Sequence, residues 1–295
     1  MRLSLGVLFA GCLLVITACG GDENPVTPGG SENLMVSPQN STLLVGVNRV
    51  SVALLDTHQS PVSAHNVSMQ VLDANGRLVE TRPLDNIAAA YGNIPIYVGI
   101  AKFPDVGQYQ LVVKGTSQNG QPLIGHAFVV VELHGPEVAV GASVPRVHQA
   151  VLGDPGVTLA TIDSGVPPDS WHTLTVADGV AQHRPMVLYF GDPAYCPSKT
   201  CGPTRDILQQ LCMQFCGQIV FEHIETYYPA GPPGPSAKAN PAFDAFGLQT
   251  DPWVYFVNAN GVVADRFEGP VTLAALVQAA QGTLTGRVPA VDLAL

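Results

Sequence analysis

Cys196 and Cys201 are the residues in this chain best placed to do chemistry. They lie in Arg184–Leu211, R-P-M-V-L-Y-F-G-D-P-A-Y-C-P-S-K-T-C-G-P-T-R-D-I-L-Q-Q-L. Met186 to Phe190 is a continuous apolar run, the pattern of a strand covered on both faces. Gly191, Asp192 and Pro193 stop it. Pro203 suits the first turn of a helix, where its missing N–H costs nothing. Ile207, Leu208, Leu211 and Phe215 then recur at helical spacing. The two cysteines are therefore expected where a strand's carboxyl end meets a helix's amino end. A thiolate there gains from unpaired backbone N–H groups and the helix dipole. Cys201 opens the helix, and Lys199, one of only four lysines, lies between the sulfurs, where a cation favours a thiolate. Cys201 is expected as the more acidic, attacking thiol and Cys196 as its partner. A permanent disulfide bracing the loop is the alternative.

Y-F-G-x-P-x-Y-C followed by C-G-P resembles the active-site turn of thioredoxin-fold proteins. Cys201-Gly202-Pro203 matches three of the four residues of their C-G-P-C box. Thr204 stands where the second cysteine belongs, and the partner cysteine lies upstream as C-x4-C. The same stretch is similar to the copper chaperones of cytochrome oxidase assembly, whose spacing is C-x3-C. That alignment makes Cys196 the first motif cysteine, so the order of the pair stays open. Thr250-Asp251-Pro252-Trp253-Val254-Tyr255-Phe256-Val257 resembles the thioredoxin-family segment whose proline is cis and faces the cysteines, which points to Pro252. Asn258-Ala259-Asn260-Gly261 and Val262–Phe267 match that family's closing hairpin. The resemblance covers nearly all of 171–281. It implies a central mixed sheet flanked by helices and thiol–disulfide exchange with envelope proteins through Cys196, Cys201 and Pro252, with no cofactor. In the copper chaperones a third ligand is a histidine before the later strand. Here that region reads G-L-Q-T-D-P-W, without one, so no metal site is expected at the cysteines.

The elements around this site follow. Thr175-Val176-Ala177-Asp178 reads as a capping box opening a short helix. Gln218–Thr226 is the next strand, expected to be central. His223 and Glu225 share one of its faces, and Glu225 could approach the cysteine loop; both are read as structural or edge residues. Cys212 lies on the apolar face of the cysteine helix and is read as a core residue. With Cys216 at i, i+4, a second redox pair or metal half-site is the alternative. Pro241–Phe246 is a short helix, and Thr272–Ala280 closes the chain's second part.

Upstream, 34–134 reads as all-β. Val50, Val52, Leu54 and Val67, Met69, Val71 alternate with polar or small residues. Asp73–Gly76 and Ser117–Gly120 are turn signals. Strands recurring about every ten residues suggest a β-sandwich, similar to immunoglobulin-like domains of envelope proteins. His58, His65, His126 and His134 do not cluster at ligand spacing. Residues 135–170, rich in Pro, Gly and Val, are expected as an extended linker draped over one domain, with 171–283 folding separately and 284–295 as a tail.

Residues 1–18 have the form of a signal peptide: Arg2, then an apolar stretch from Leu3 to Ile16, too short to span comfortably. Ile16-Thr17-Ala18-Cys19 resembles a bacterial lipoprotein box. It implies cleavage before Cys19, removal of Cys12, and lipidation of Cys19, which anchors the chain to the membrane outside the cytoplasm. A secretory signal with an incidental cysteine is the alternative. Residues 19–33 supply a polar tether. A net charge of −10 excludes a nucleic-acid-binding surface of the usual basic kind. A non-catalytic scaffold lipoprotein, with the sandwich as its working part, remains a third reading.

Overall fold

The fold was obtained as a computed structural model, which describes residues 33–286. The expected signal peptide, Cys19, most of the tether and most of the tail lie outside the described residues. The chain is mostly β-sheet, with few helices. No helix among the described residues is long and apolar enough to cross a membrane.

The first unit holds β1 (Met35–Pro38), β2 (Leu43–Leu44), β3 (Gly46–Leu55), β4 (Ala64–Leu72), β5 (Leu78–Pro83), β6 (Asp85–Asn86), β7 (Ile96–Phe103), β8 (Gly107–Ser117) and β9 (Pro122–Glu132). One sheet runs β1-β3-β7-β6 and the other β2-β9-β8-β4-β5. Alternation builds the core between them: Val50, Val52 and Leu54 from one sheet meet Met69, Val71, Leu111 and Val113 from the other, all fully buried. The turn after β4 is held by Asp73, whose carboxylate accepts the Asn75 and Arg77 N–H groups, while Gly76 takes the left-handed conformation at φ +75°.

The second unit contains α1 (Leu159–Ile162), α2 (Val176–Ala181), β10 (Met186–Phe190), α3 (Cys201–Phe215), β11 (Val220–Ile224), α4 (Pro241–Ala245), β12 (Trp253–Val257), β13 (Val263–Glu268) and α5 (Leu273–Thr285). Its sheet order is β11-β10-β12-β13. β10 pairs parallel with β11 and antiparallel with β12, which pairs antiparallel with β13. Both faces of β10 are covered. Val187 and Tyr189 face α3 and α5 through Leu208, Leu211, Ala275 and Leu276. Met186, Leu188 and Phe190 face the opposite core with Val176, Val180, Phe243 and Phe246. That double burial is why the strand reads as an unbroken apolar run. Thr175 caps α2 by accepting the Asp178 N–H, and Thr272 caps α5 by accepting from Ala275 N; each such cap contributes about 1 kcal/mol.

The 135–170 stretch drapes over the second unit rather than standing free of it. Val144, Val151 and Ile162 are buried, and Val144 N–H donates to Gly261 O while Ala177 N–H donates to Val147 O. Its valines supply the apolar cover that the short α2 and α4 leave incomplete. The strand after α3, expected to be central, is not: β11 is an edge strand, and the chain at 163–172 covers it, with His223 N–H donating to Trp171 O at 2.6 Å.

The two units share a packed interface. Tyr91, in a short 3-10 turn at Ala88–Tyr91, is fully buried in the core that contains Leu208 and Val271. Its hydroxyl accepts the Val271 N–H at 2.6 Å and lies 3.1 Å from Thr204 Oγ1. Glu268 accepts the Ser41 N–H at 2.7 Å.

Candidate functional site

β10 ends at Phe190, and the loop to α3 carries both cysteines of the first pair. Gly191 is required by close approach: a Cβ there would stand 2.5 Å from the Tyr189 hydroxyl oxygen. That hydroxyl donates to the Cys201 carbonyl at 2.8 Å, fixing the start of α3 against the strand. The Asp192 carbonyl accepts the Tyr195 and Cys196 N–H groups and closes the turn. Cys201 is the first residue of α3 and is disulfide-bonded to Cys196, with Cα atoms 6.0 Å apart.

The sulfurs differ in access. Cys201 is fully buried, whereas Cys196 is partly exposed. Ser198 Oγ lies 3.1 Å from Cys196 Sγ. Asp251 Oδ2 lies 3.0 Å from Cys201 Sγ, and the Asp251–Pro252 peptide bond is cis. Burial, reinforced by the charge of Asp192, pushes the Asp251 carboxyl up to about 6. Pro203 stands in the first turn of α3 and Lys199 is exposed on the loop. The thiol expected to attack is thus the one sealed from solvent: the helix start that favours its thiolate also lies under the loop.

The second pair is also joined. Cys212 and Cys216 form a disulfide at the carboxyl end of α3, with Cα atoms 4.6 Å apart. Cys212, read as a core residue, is half-buried and packs against the core of α3 while bonded to the exposed Cys216.

Behind the cysteine loop lies a buried polar cluster. His223, on β11, donates from Nε2 to Gly191 O at 2.9 Å and stacks on Tyr189 with ring centroids 4.8 Å apart. Its Nδ1 is 3.0 Å from Asp169 Oδ2. His172 Nε2 is 3.1 Å from Asp163 Oδ2. Burial by itself would raise Asp163 and Asp169, but hydrogen bonds from His172 and His223 outweigh it and hold both carboxyls well below the usual range. Glu225 accepts the Ser164 N–H, and burial pushes its carboxyl up to about 8.

Sequence reasoning set His223 and Glu225 aside as structural and missed Asp163, Asp169, His172 and Asp251. Asp251 had a signal, since it immediately precedes Pro252. The two aspartates at 163 and 169 had none, because they lie in the stretch read as linker.

No family model matches the chain, and no curated protein does. Among solved structures, a thiol:disulfide interchange protein of the thioredoxin family from Chlorobium tepidum TLS aligns at 16% identity over 44% of this chain and 99% of its own, with a TM-score of 0.28. CopC from Methylosinus trichosporium OB3b aligns at 17% identity over 34% of this chain and 92% of its own, with a TM-score of 0.25. A DUF4426 family protein from Pseudomonas aeruginosa PAO1 aligns at 13% identity over 34% of this chain and 90% of its own, at 0.26. With scores this low, the reading of the site rests on its own geometry.

Proposed function

We propose that the chain is an envelope lipoprotein in which an immunoglobulin-like sandwich carries a thioredoxin-like unit, and that Cys196 and Cys201 perform thiol–disulfide exchange. The observation that carries this reading is the asymmetry of the pair: an accessible Cys196 bonded to a buried Cys201 that touches Asp251. A structural brace has no use for a part-buried acid against one sulfur. Exchange does.

In the reduced chain, the Cys196 thiolate attacks one sulfur of a substrate disulfide. An S–S bond forms between Cys196 and the substrate, and the other substrate sulfur leaves as a thiolate that takes a proton from solvent. The Cys201 thiol then gives its proton to the Asp251 carboxylate and attacks Cys196 Sγ. The Cys196–Cys201 disulfide forms and the second substrate thiolate leaves, taking up the proton that Asp251 received. The substrate gains two electrons and two protons, and the dithiol loses them. The reverse sequence oxidises a substrate dithiol. The roles of the cysteines are therefore opposite to those expected from the helix-start argument, because attack requires access as well as ionisation. Pro252, whose bond to Asp251 is cis, is itself buried, and Asp251 is the residue of this turn that reaches the pair.

Copper retention is the second reading raised by the sequence. The third donor beside Cys196 and Cys201 is the Asp251 carboxylate, a hard oxygen, whereas copper(I) prefers sulfur and imidazole; the exchange reading is favoured. The deciding experiment is equilibration of the Cys196–Cys201 pair against glutathione and dithiothreitol buffers. A potential between about −120 and −270 mV is that of exchange proteins. Resistance to reduction below roughly −300 mV makes the bond a brace and overturns the proposal.

A further inference from the structure

Asp163, Asp169, His172 and His223 turn one donor atom each toward a common point that thiol–disulfide exchange does not use. We propose that these four side chains form a structural zinc site.

The separations between donors carry the proposal. His172 Nε2 stands 3.1 Å from Asp163 Oδ2 and 3.2 Å from Asp169 Oδ1. His223 Nδ1 stands 3.0 Å from Asp169 Oδ2 and 3.7 Å from Asp163 Oδ2. A tetrahedral zinc ion with bonds of about 2.0–2.1 Å spaces its donors by roughly 3.3 Å; the values above, which draw on both oxygens of Asp169, bracket that spacing, and one donor atom from each residue lies within 4.8 Å of the others. The side chains are at most 4% exposed, so nothing but protein surrounds the point.

Hydrogen bonding independently sets one ring. The Gly191 carbonyl can only accept, so His223 Nε2, 2.9 Å away, carries the proton. Nδ1 then faces two carboxylates and needs either a second proton or a cation. His172 Nε2 faces two carboxylate oxygens at nearly equal distances, where a single N–H serves one and a point cation serves both. Filling the site with protons leaves a buried His223 imidazolium against the two carboxylates, with the His172 ring centroid 5.1 Å away. One divalent ion instead balances the two carboxylates and leaves both rings neutral.

The carboxylates are held from behind. Asp163 accepts N–H groups from Gly165 and Asp169, and Asp169 accepts that of Trp171, the outer contacts that orient ligands in metal sites. Mixed imidazole and carboxylate donors suit zinc better than calcium or magnesium. Four protein donors leave no open position, as in structural rather than catalytic sites. The ion has a route in, since Asp169 also lines a surface groove of about 640 Å³. Bound there, it would pin 163–172 onto the β11 edge and, through His223 and Gly191, steady the start of the cysteine loop.

The test uses the full chain with both cysteine pairs oxidised, so no thiolate competes and the outcome is independent of the exchange chemistry. After treatment with EDTA, the chain is titrated with Co²⁺ and then Zn²⁺. The expected result is one Co²⁺ per chain with the strong visible bands of a tetrahedral ion, displaced by one Zn²⁺, and a Tm raised by zinc and lowered by EDTA. Asp169→Asn and His172→Gln should each weaken binding at least ~10²-fold. Should either variant fail to fold, the wild-type titration decides alone. Absence of stoichiometric binding at micromolar protein, octahedral-type weak bands, or binding untouched by both substitutions overturns the proposal.

Discussion

The Asp251 carboxylate lies 3.0 Å from the sulfur of Cys201, which is completely buried beneath the loop carrying Cys196. A part-buried carboxyl beside a buried sulfur gives Cys201 a local proton acceptor in the proposed exchange. The accessible Cys196 needs no such help.

Single-cysteine variants should separate the two sulfurs. Cys201→Ser should accumulate mixed disulfides with substrate through Cys196, visible as reductant-sensitive adducts by mass spectrometry. Cys196→Ser should give none and lose exchange activity. Adducts through Cys201 instead would restore the order read from the helix start.

Asp251 should set the pH profile of the resolving step. Its carboxyl, pushed up to about 6, accepts the Cys201 proton only when ionised. Release of the mixed disulfide should therefore rise as pH passes about 6 and then level. Asp251→Asn should remove that inflection and slow release on the order of 10²-fold, the usual scale for loss of a general base. An unchanged profile assigns the deprotonation to solvent.

The same group makes a stability prediction for the oxidised chain. Its folded pKa lies above the unfolded value of about 3.9, so the folded state binds the proton more tightly. Stability then falls as pH rises from about 4 to about 6 and stays lowered above that. Asp251→Asn should match the wild type near pH 4 and exceed it by about 1–3 kcal/mol at pH 7, measured by urea unfolding. Equal stabilities at both pH values would contradict the assigned shift.

Tyr91→Phe should loosen the contact between the two units. It leaves the buried Val271 N–H without its acceptor, at a cost of about 1–3 kcal/mol. A Tm drop of several degrees is expected, with both units affected in hydrogen exchange. A change confined to the sandwich would mean that the contact does not couple them.

Cys19→Ala should release the chain from membranes and abolish lipid mass at the N-terminus, measured by fractionation and mass spectrometry. Unchanged retention would remove the anchor from the proposal.

The sequence by itself marked several of the strands and the faces they bury, though not β1, β2, β5, β6 or β7. Val50, Val52 and Leu54 alternate because one side of β3 meets a facing sheet, and Met186–Phe190 does not alternate because both sides of β10 are covered. Local chemistry also placed Thr175 and Thr272 at helix starts and both cysteines at the end of β10. Those signals are short-range, so periodicity and turn residues report them. What only the tertiary structure decided was long-range. Asp163 and Asp169 meet His223 across more than fifty residues, and nothing in the pattern of 135–170 marks which of its polar residues will be buried. The exposure of the cysteines is of the same kind: Cys201 opens the helix, yet it is buried and Cys196 partly exposed, and packing rather than spacing sets that.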